Sequence, residues 1–389
     1  MKKLNSKRIS EAVTLLSLIA LCFPSIGMIR LDSGIIFPHY FTLALTIPVL
    51  LLNRPVAPVT VLPVIALIFL SSLINLNTAD LKIAGFHIMH LIAAGLLSGC
   101  SRSLGLGFAK ITLIIYAVTI LVTQLFAAIG IGGIFEELFT VQKESLNSTR
   151  VSAFATEPSY AGLIMLIMSR FVIVTDIKWF NWKRLGLIIT GLLASLSLFS
   201  LISVAMIMAM YLYQRGKERS SLGLLTVTIL LLVTTYFTDY FEIRLNSLDL
   251  SAGVQGLRSG TIRILPYFYI IEILPNNMWP IFVGAGAGML EPEFFINLGQ
   301  FYTMNNSLPT HMAASIYDYG LPSILVILFL WNRPNKITER VLFLLMAILM
   351  MTNTGMGTYL FVIFGIYALL EQRLRTTPLA QTERNSFLP

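Results

Sequence analysis

Lys183-Arg184-Leu-Gly-Leu-Ile-Ile-Thr190-Gly-Leu-Leu-Ala-Ser195-Leu-Ser-Leu-Phe-Ser200-Leu-Ile-Ser-Val-Ala205-Met-Ile-Met-Ala-Met210-Tyr-Leu-Tyr-Gln-Arg215-Gly-Lys217 is an apolar run with basic residues at both ends. Its core, 185–214, is about 30 residues long, so a single helix would extend about 45 Å at 1.5 Å per residue, against a hydrocarbon layer of about 30 Å. Lys and Arg mark the cytoplasmic flank of a spanning helix, and their presence at both ends puts both ends on the same side. The run therefore predicts a hairpin of two short helices turning near Ser200. The run 341–370, between Arg340 and the pair Arg373 and Arg375, reads the same way, with its turn near Asn353-Thr-Gly355-Met-Gly357. Non-helical backbone at such tips has to face protein or a water-filled cavity.

Outward from these hairpins, apolar runs at 9–29, 35–52, 56–74, 83–100, 109–134, 158–175, 221–237 and 312–331 are each near the roughly 20 residues of a spanning helix. The expected fold is an all-α polytopic membrane protein with about 12 transmembrane helices, a single integral membrane domain over 1–389 with both termini cytoplasmic. Composition agrees. The chain is 56% hydrophobic and 12% charged with a mean hydropathy of +0.80, too little polar surface to solvate a globule of 389 residues. The net charge of +8 sits in short basic clusters between apolar runs, which reads as membrane topology and not as a nucleic-acid surface. Cys22 and Cys100 lie inside apolar runs, so neither a disulfide framework nor a cysteine metal site is indicated. The basic N-terminus followed by an apolar run reads as a retained first helix, because no small-residue cleavage site follows it.

Most of the 27 Lys and Arg fall on the cytoplasmic flanks of this arrangement. Arg30, Lys82, Lys143, Arg150, Arg244, Arg258 and Arg263 fall outside. Two segments are extracytoplasmic: 135–157, and 238–310 between helices 9 and 10, which is too long for a mere connector. The first runs into Arg150-Val-Ser-Ala-Phe-Ala-Thr-Glu157-Pro158-Ser-Tyr160-Ala-Gly162. Pro158 suits the first turn of a helix, where free N–H groups and the positive end of the dipole attract anions. Arg150, Glu157 and Tyr160 then stand at the mouth of a helix. Within the second segment, Arg258 and Arg263 precede Pro266-Tyr-Phe-Tyr, which reads as an interfacial helix kinked at the proline. Guanidinium groups bind phosphate in a bidentate way, so Arg150, Arg258 and Arg263 suit a pyrophosphate, while pairing with Glu157, Glu242 or Glu272 is the alternative.

His311 opens the run 312–331 and Asp318 lies two turns further in; a carboxylate inside a spanning helix is costly, which predicts that Asp318 faces a cavity. His87 and His90 share a helix face, but no carboxylate or cysteine completes a metal set, so hydrogen bonding or packing is their expected role. Gly284-Ala-Gly286-Ala-Gly288 lacks the preceding strand and spaced acidic residue of a dinucleotide loop and reads as a turn that lets backbone approach backbone.

Taken together, the Glu157-Pro158-Ser-Tyr-Ala core, the polar hairpin tip after Leu196-Ser197, the arginine-bearing outer loop ending in Pro280-Ile-Phe-Val-Gly284-Ala-Gly286, and His311 followed by Tyr319-Gly320-Leu321 resemble the O-antigen polymerase (Wzy-type) family, related in architecture to O-antigen ligases. The resemblance covers 150–321 in pieces. It implies a GT-C-like glycosyltransferase of the bacterial inner (cytoplasmic) membrane that joins undecaprenyl-pyrophosphate-linked oligosaccharide repeat units at the periplasmic face, with no metal or other cofactor, and with a polysaccharide chain-length regulator as partner. It also implies roles. Arg150, Arg258 and Arg263 would hold the leaving pyrophosphate; Glu157 or His311 would take the acceptor proton; Tyr160, Tyr267, Asp318 and Tyr319 would position substrate. Met312 stands where a ligase has asparagine after the histidine, which favours polymerase over ligase. A lipid-linked oligosaccharide flippase is the alternative of another class; the lack of an internal repeat speaks against it.

The topology is tested by cysteine labelling in intact cells. Cysteines replacing Gln255 and Gln300 should react with a membrane-impermeant thiol reagent, and those replacing Lys217 and Lys336 should not; the reverse pattern would invert the orientation.

Overall fold

The computed structural model of the chain describes residues 2–24, 29–31, 34–36, 38–53, 61–129, 153–155, 158–195, 197–230, 234, 266–267, 269–271, 278–290, 311–331, 336–353 and 358–376. The protein is helical. In chain order the elements are α1 (Lys2–Cys22), a two-stranded antiparallel ribbon of β1 (Ile29–Leu31) and β2 (Gly34–Ile36), α2 (Pro38–Asn53), α3 (Leu62–Ile74), α4 (Leu81–Leu97), α5 (Arg102–Ala128), α6 (Pro158–Thr175), a single 3-10 turn at Ile177–Trp179, α7 (Trp182–Ala194) and α8 (Leu198–Gln214). A helical stretch over 218–230 follows, then α9 (Trp279–Val283), α10 (His311–Tyr319), α11 (Leu321–Trp331), α12 (Ile337–Asn353) and α13 (Tyr359–Thr376). Among the described residues one helix, Arg102–Ala128, is both long and apolar enough to cross a membrane, with 27 residues and a mean hydropathy of 2.2 over an 18-residue stretch of it.

The apolar runs of the sequence become helices, and their ends have local causes. α6 begins at Pro158, whose missing N–H costs nothing in a first turn. Ser101 caps α5 by accepting from Leu104 N–H, and Asn181 caps α7 by accepting from Arg184 N–H. The run 185–214 is two helices, as its length demands, but the break falls at 195–197 and Ser200 belongs to the first turn of α8. Ser195 Oγ closes the break by donating to Leu192 C=O at 2.7 Å, and it shares a 2.6 Å hydrogen bond with Ser200 Oγ. The run 341–370 is likewise interrupted between Asn353 and Tyr359, with 354–357 outside the described residues.

The run 312–331, expected as one helix, is also two. Gly320 at φ +82° adopts the left-handed conformation that ends α10, its N–H bonding Ile316 C=O at 2.9 Å, and Pro322 suits the first turn of α11. The ribbon sits at the join of the first two runs, taking Ile29 from the end of the first and Ile35 and Ile36 from the start of the second, where spanning helix was expected.

The chain, expected as a single domain, forms two compact units. One comprises Met1–Ala57, Ala93–Thr226 and Val362–Pro389; the other comprises Pro58–Ile92 and Val227–Phe361. In the first, α6 and α8 run parallel: Gly162 lies against Ser200, and Arg170 reaches Met210 Sδ at 3.9 Å. α7 lies against α5 at an equally close approach, Gly191 on Ala117. Basic side chains gather at one end of this unit. Arg102 donates to Thr175 C=O, Lys110 pairs with Asp176, Arg184 donates to Trp179 C=O, and Arg373 donates to Cys100 C=O. The antiparallel return from α7 to α8 puts Arg215 at that end as well.

Gly162 is the tightest joint of α6 on α8. A methyl group there would stand 2.6 Å from Ser200 Oγ and 3.0 Å from Ser200 Cα. Gly162→Ala should therefore destabilise the protein by about 1–3 kcal/mol through overpacking, read as a lower midpoint of thermal unfolding, whereas Ala at Gly186, which has no neighbour within 4 Å, should leave the midpoint unchanged or raise it.

Candidate functional site

The first unit carries the beginning of the motif region. Ala153 and Ala155 are almost fully buried, and Phe154 meets Phe23 edge-on at 5.1 Å and Tyr116 at 6.0 Å. Tyr116 also stacks on Phe23 at 5.8 Å and donates to Cys22 C=O. Tyr116 stands near the middle of α5. Residues 153–155, just ahead of α6, therefore lie among the helices. Ala153 has φ +51°, a left-handed conformation that costs a residue with a Cβ of the order of 1 kcal/mol and persists only where packing imposes it. The aromatic trio of Phe23, Tyr116 and Phe154 supplies that packing. Ser159 is buried and Tyr160 half-buried in the first turn of α6, and Gly162 one turn later meets the hairpin tip at Ser200. Two features that the sequence shows separately, the first turns of the helix begun by Pro158 and the serine-rich tip, are thus neighbours in space. Arg150 and Glu157 lie outside the described residues.

The second unit holds the other candidates. Asp318 is buried, and its carboxylate accepts three backbone N–H groups, from Gly288 at 2.9 Å and from Met289 and Leu290 at 3.1 Å each. The same turn reads the main chain of α10 as well: Ala285 N–H donates to Tyr317 C=O and Gly286 N–H to Asp318 C=O. Ser71 Oγ donates to Asp318 C=O at 2.8 Å, and Asn75 Nδ2 to Gly284 C=O at 3.1 Å. Asp80 opens α4 by accepting from Lys82 N–H and donates its own N–H to Ala287 C=O. The glycines make this possible. A Cβ on Gly284, at φ +88°, would stand 2.3 Å from Asp318 O, and one on Gly320 would stand 2.7 Å from Phe282 O. The Gly-Ala-Gly-Ala-Gly stretch is therefore a clasp on the broken helix, matching its reading as a close-approach turn. Asp318, expected to face a cavity, instead points into this clasp because three N–H groups satisfy its charge there.

Tyr319 is buried, and its Oη lies 2.6 Å from His87 Nδ1, with the rings edge to face at 5.5 Å. His87 is the partner that sequence reading did not attach to the site; a histidine facing a tyrosine across 232 positions leaves no local signal. His90 is buried and bonds Phe86 C=O within its own helix, a hydrogen-bonding role as read from the sequence. Tyr267 and Tyr269, from the long segment 238–310, pack on the cluster of Ile270, Leu290, Ala313 and Tyr317. That contact sets Tyr267 and Tyr269 against the helix that starts at His311. The His311 side chain, Arg258 and Arg263 lie outside the described residues.

No protein-family model, curated protein or solved structure matches the chain.

The clasp predicts an asymmetric response to two small changes. Asp318→Asn keeps the shape but turns an amide NH2 toward backbone donors, and should destabilise by about 1–3 kcal/mol; Tyr319→Phe removes one hydrogen bond to His87 and should cost about 0.5–1.5 kcal/mol. Thermal unfolding of the two purified variants checks the order.

Proposed function

We propose that the chain is a polytopic inner-membrane glycosyltransferase that joins undecaprenyl-pyrophosphate-linked oligosaccharide repeat units at the periplasmic face, as its resemblance to O-antigen polymerases implies, on a GT-C-like fold of about 12 spanning helices. Three features support the membrane part. On α5 the exposed side chains Ile111, Val118, Val122, Leu125 and Ile129 fall on one face of the helix, and 18 residues at 1.5 Å make that stripe about 27 Å long, close to the depth of a hydrocarbon core. The basic residues of the first unit gather at one end, the side expected in the cytoplasm. In the second unit, Gly284–Leu290 of the long segment meets the ends of α3 and α4 at Asn75 and Asp80, which the topology places outside.

The observation that carries the site is the burial of Ala153–Ala155 at the end of α6 remote from the basic cluster. It anchors the chain just ahead of α6 among packed helices of the first unit, which supports a working site at this end. In this reading Arg150, Arg258 and Arg263 hold and neutralise the leaving pyrophosphate. Glu157 takes the proton of the attacking sugar hydroxyl, and His311 assists from the start of α10. Asp318, whose oxygens are engaged by three N–H groups, positions α10 and the outer segment through the clasp. Tyr160 and Tyr267 flank sugar or lipid.

The break of α10 from α11 favours a second reading. Interrupted helices with an irregular, protein-covered junction are a transporter trait, which suits a lipid-linked oligosaccharide flippase.

The test is repeat-unit extension by the purified protein on a synthetic lipid-linked acceptor, with membrane expression matched between variants. Wild type should lengthen the chain, Glu157→Gln should abolish extension, His311→Gln should slow it, and lysine at Arg150 should rescue only part of what alanine loses. Wild-type rates in Glu157→Gln with a dead His311→Gln would exchange the two roles. Deletion in cells separates the classes: a single repeat unit on the core marks a polymerase, a bare core with lipid-linked polymer a ligase, and repeat units retained on the cytoplasmic face a flippase.

A further inference from the structure

Between α6 and α7 the chain reads Asp176-Ile-Lys-Trp-Phe-Asn-Trp-Lys-Arg184, one 3-10 turn followed by the Asn181 cap of α7. Phe180 is its buried pin. Around it, the indole of Trp179 carries two cations over its ring, Lys110 Nζ at 5.9 Å and Arg184 Cζ at 5.0 Å from the ring centre. Trp182 is 78% exposed, with Lys183 Nζ 5.8 Å from its ring. Lys178 and Lys183 are exposed. Asp176, the acidic side chain of the segment, is engaged by Lys110 at 2.6 Å, so the surface as a whole is positive.

Each part of this arrangement has a physical cost in plain water. An indole left largely exposed loses its apolar contacts, and cations held close to rings lose part of their hydration. Both costs vanish in the headgroup layer of a bilayer, where indoles partition to the boundary and Lys and Arg meet lipid phosphates. Stacking on Trp179 also fixes the Arg184 guanidinium, which further donates to Trp179 C=O at 2.9 Å, so less freedom is lost when an anion arrives. The apolar run that follows from Leu185 puts the segment at the edge of the hydrocarbon. A soluble acidic partner would need no exposed indole there.

We infer that 176–184 is a docking surface for the headgroup of an anionic phospholipid, with Lys178, Lys183 and Arg184 engaging its phosphate and Trp182 seated at the level of its ester groups. The inference rests on the membrane reading above and is independent of glycosyl transfer.

The experiment uses the full-length protein in a neutral detergent, titrated with phosphatidylglycerol, phosphatidylcholine or inorganic phosphate. Lipid retained is counted by native mass spectrometry, and thermal unfolding is followed in parallel. Phosphatidylglycerol should be retained and raise the unfolding midpoint, an effect that weakens with salt. Lys178→Gln/Lys183→Gln, which changes two exposed side chains and leaves the Arg184 bond intact, should bind it several-fold more weakly. Arg215→Gln/Lys217→Gln, a basic pair elsewhere at the same end, should bind as wild type. Equal response to phosphatidylcholine, unchanged binding by the 178/183 variant, equal loss in the 215/217 variant, or the same shift with inorganic phosphate alone would each overturn the assignment while leaving the membrane reading standing. A protein that stays monodisperse with neither detergent nor lipid would remove the membrane reading itself.

Discussion

A helix that breaks inside an apolar layer strands backbone N–H and C=O groups where water does not reach them, and each such group left unsatisfied costs several kcal/mol in hydrocarbon. Two breaks of this chain are answered with local polar groups. At 195–197 the answer is small: Ser195 Oγ bonds Leu192 C=O and Ser200 Oγ. At Gly320 it is larger, because α10 is clasped by Gly284–Leu290, and the Asp318 carboxylate collects three N–H groups that the turn itself leaves over. A carboxylate so placed receives charge-assisted hydrogen bonds, which are stronger than neutral ones. That offsets the cost of burying it.

The clasp has a geometric condition, which is that backbone must touch backbone. Gly284 and Gly320 meet it from the two sides, one against Asp318 O and the other against Phe282 O, both at positive φ. Either glycine alone is insufficient. With a Cβ at Gly320 the helix end could not turn beneath α9, and with one at Gly284 the turn could not reach Asp318. The first unit uses the same device without the unusual backbone angle: Gly162 and Gly191 are ordinary helical glycines whose missing side chains admit Ser200 and Ala117.

How much of this the sequence shows follows from the range of each interaction. Helix starts are local, and Pro158 marks the first residue of α6; the double basic flank is local too, and it predicts that 185–214 must fold back. The break at Gly320 was legible in principle, since a glycine followed two residues later by proline is a helix stop followed by a helix start; the unbroken hydrophobicity of 312–331 masked it. The partner of Asp318 was not legible. Its ligands are backbone N–H groups about 30 residues earlier, and main-chain donors carry no residue signature. Likewise the left-handed Ala153 has no sequence mark, because alanine carries no preference for that conformation and tertiary packing alone holds it there.

The buried ion pair of Arg170 with Glu371 ties these threads to the site. It joins α6 to α13 at 3.0 Å, and Arg375 bonds the same carboxylate oxygen at 2.7 Å. Such a group of charges stabilises a fold little, since desolvation cancels most of the attraction, but breaking it is costly, because one partner would then be buried alone. Its effect is therefore on register more than on stability. Arg170 lies twelve residues beyond Pro158 on a rigid helix, so about 18 Å along the axis at 1.5 Å per residue separate the pair from the motif. α6 is then held at three heights, by the ion pair near its basic end, by Gly162 on Ser200, and by Phe154 against Tyr116 just before its first turn. Sliding α6 by one turn would break all three at once. The start of α6 at Pro158 is thereby fixed in height by contacts spread along the whole helix.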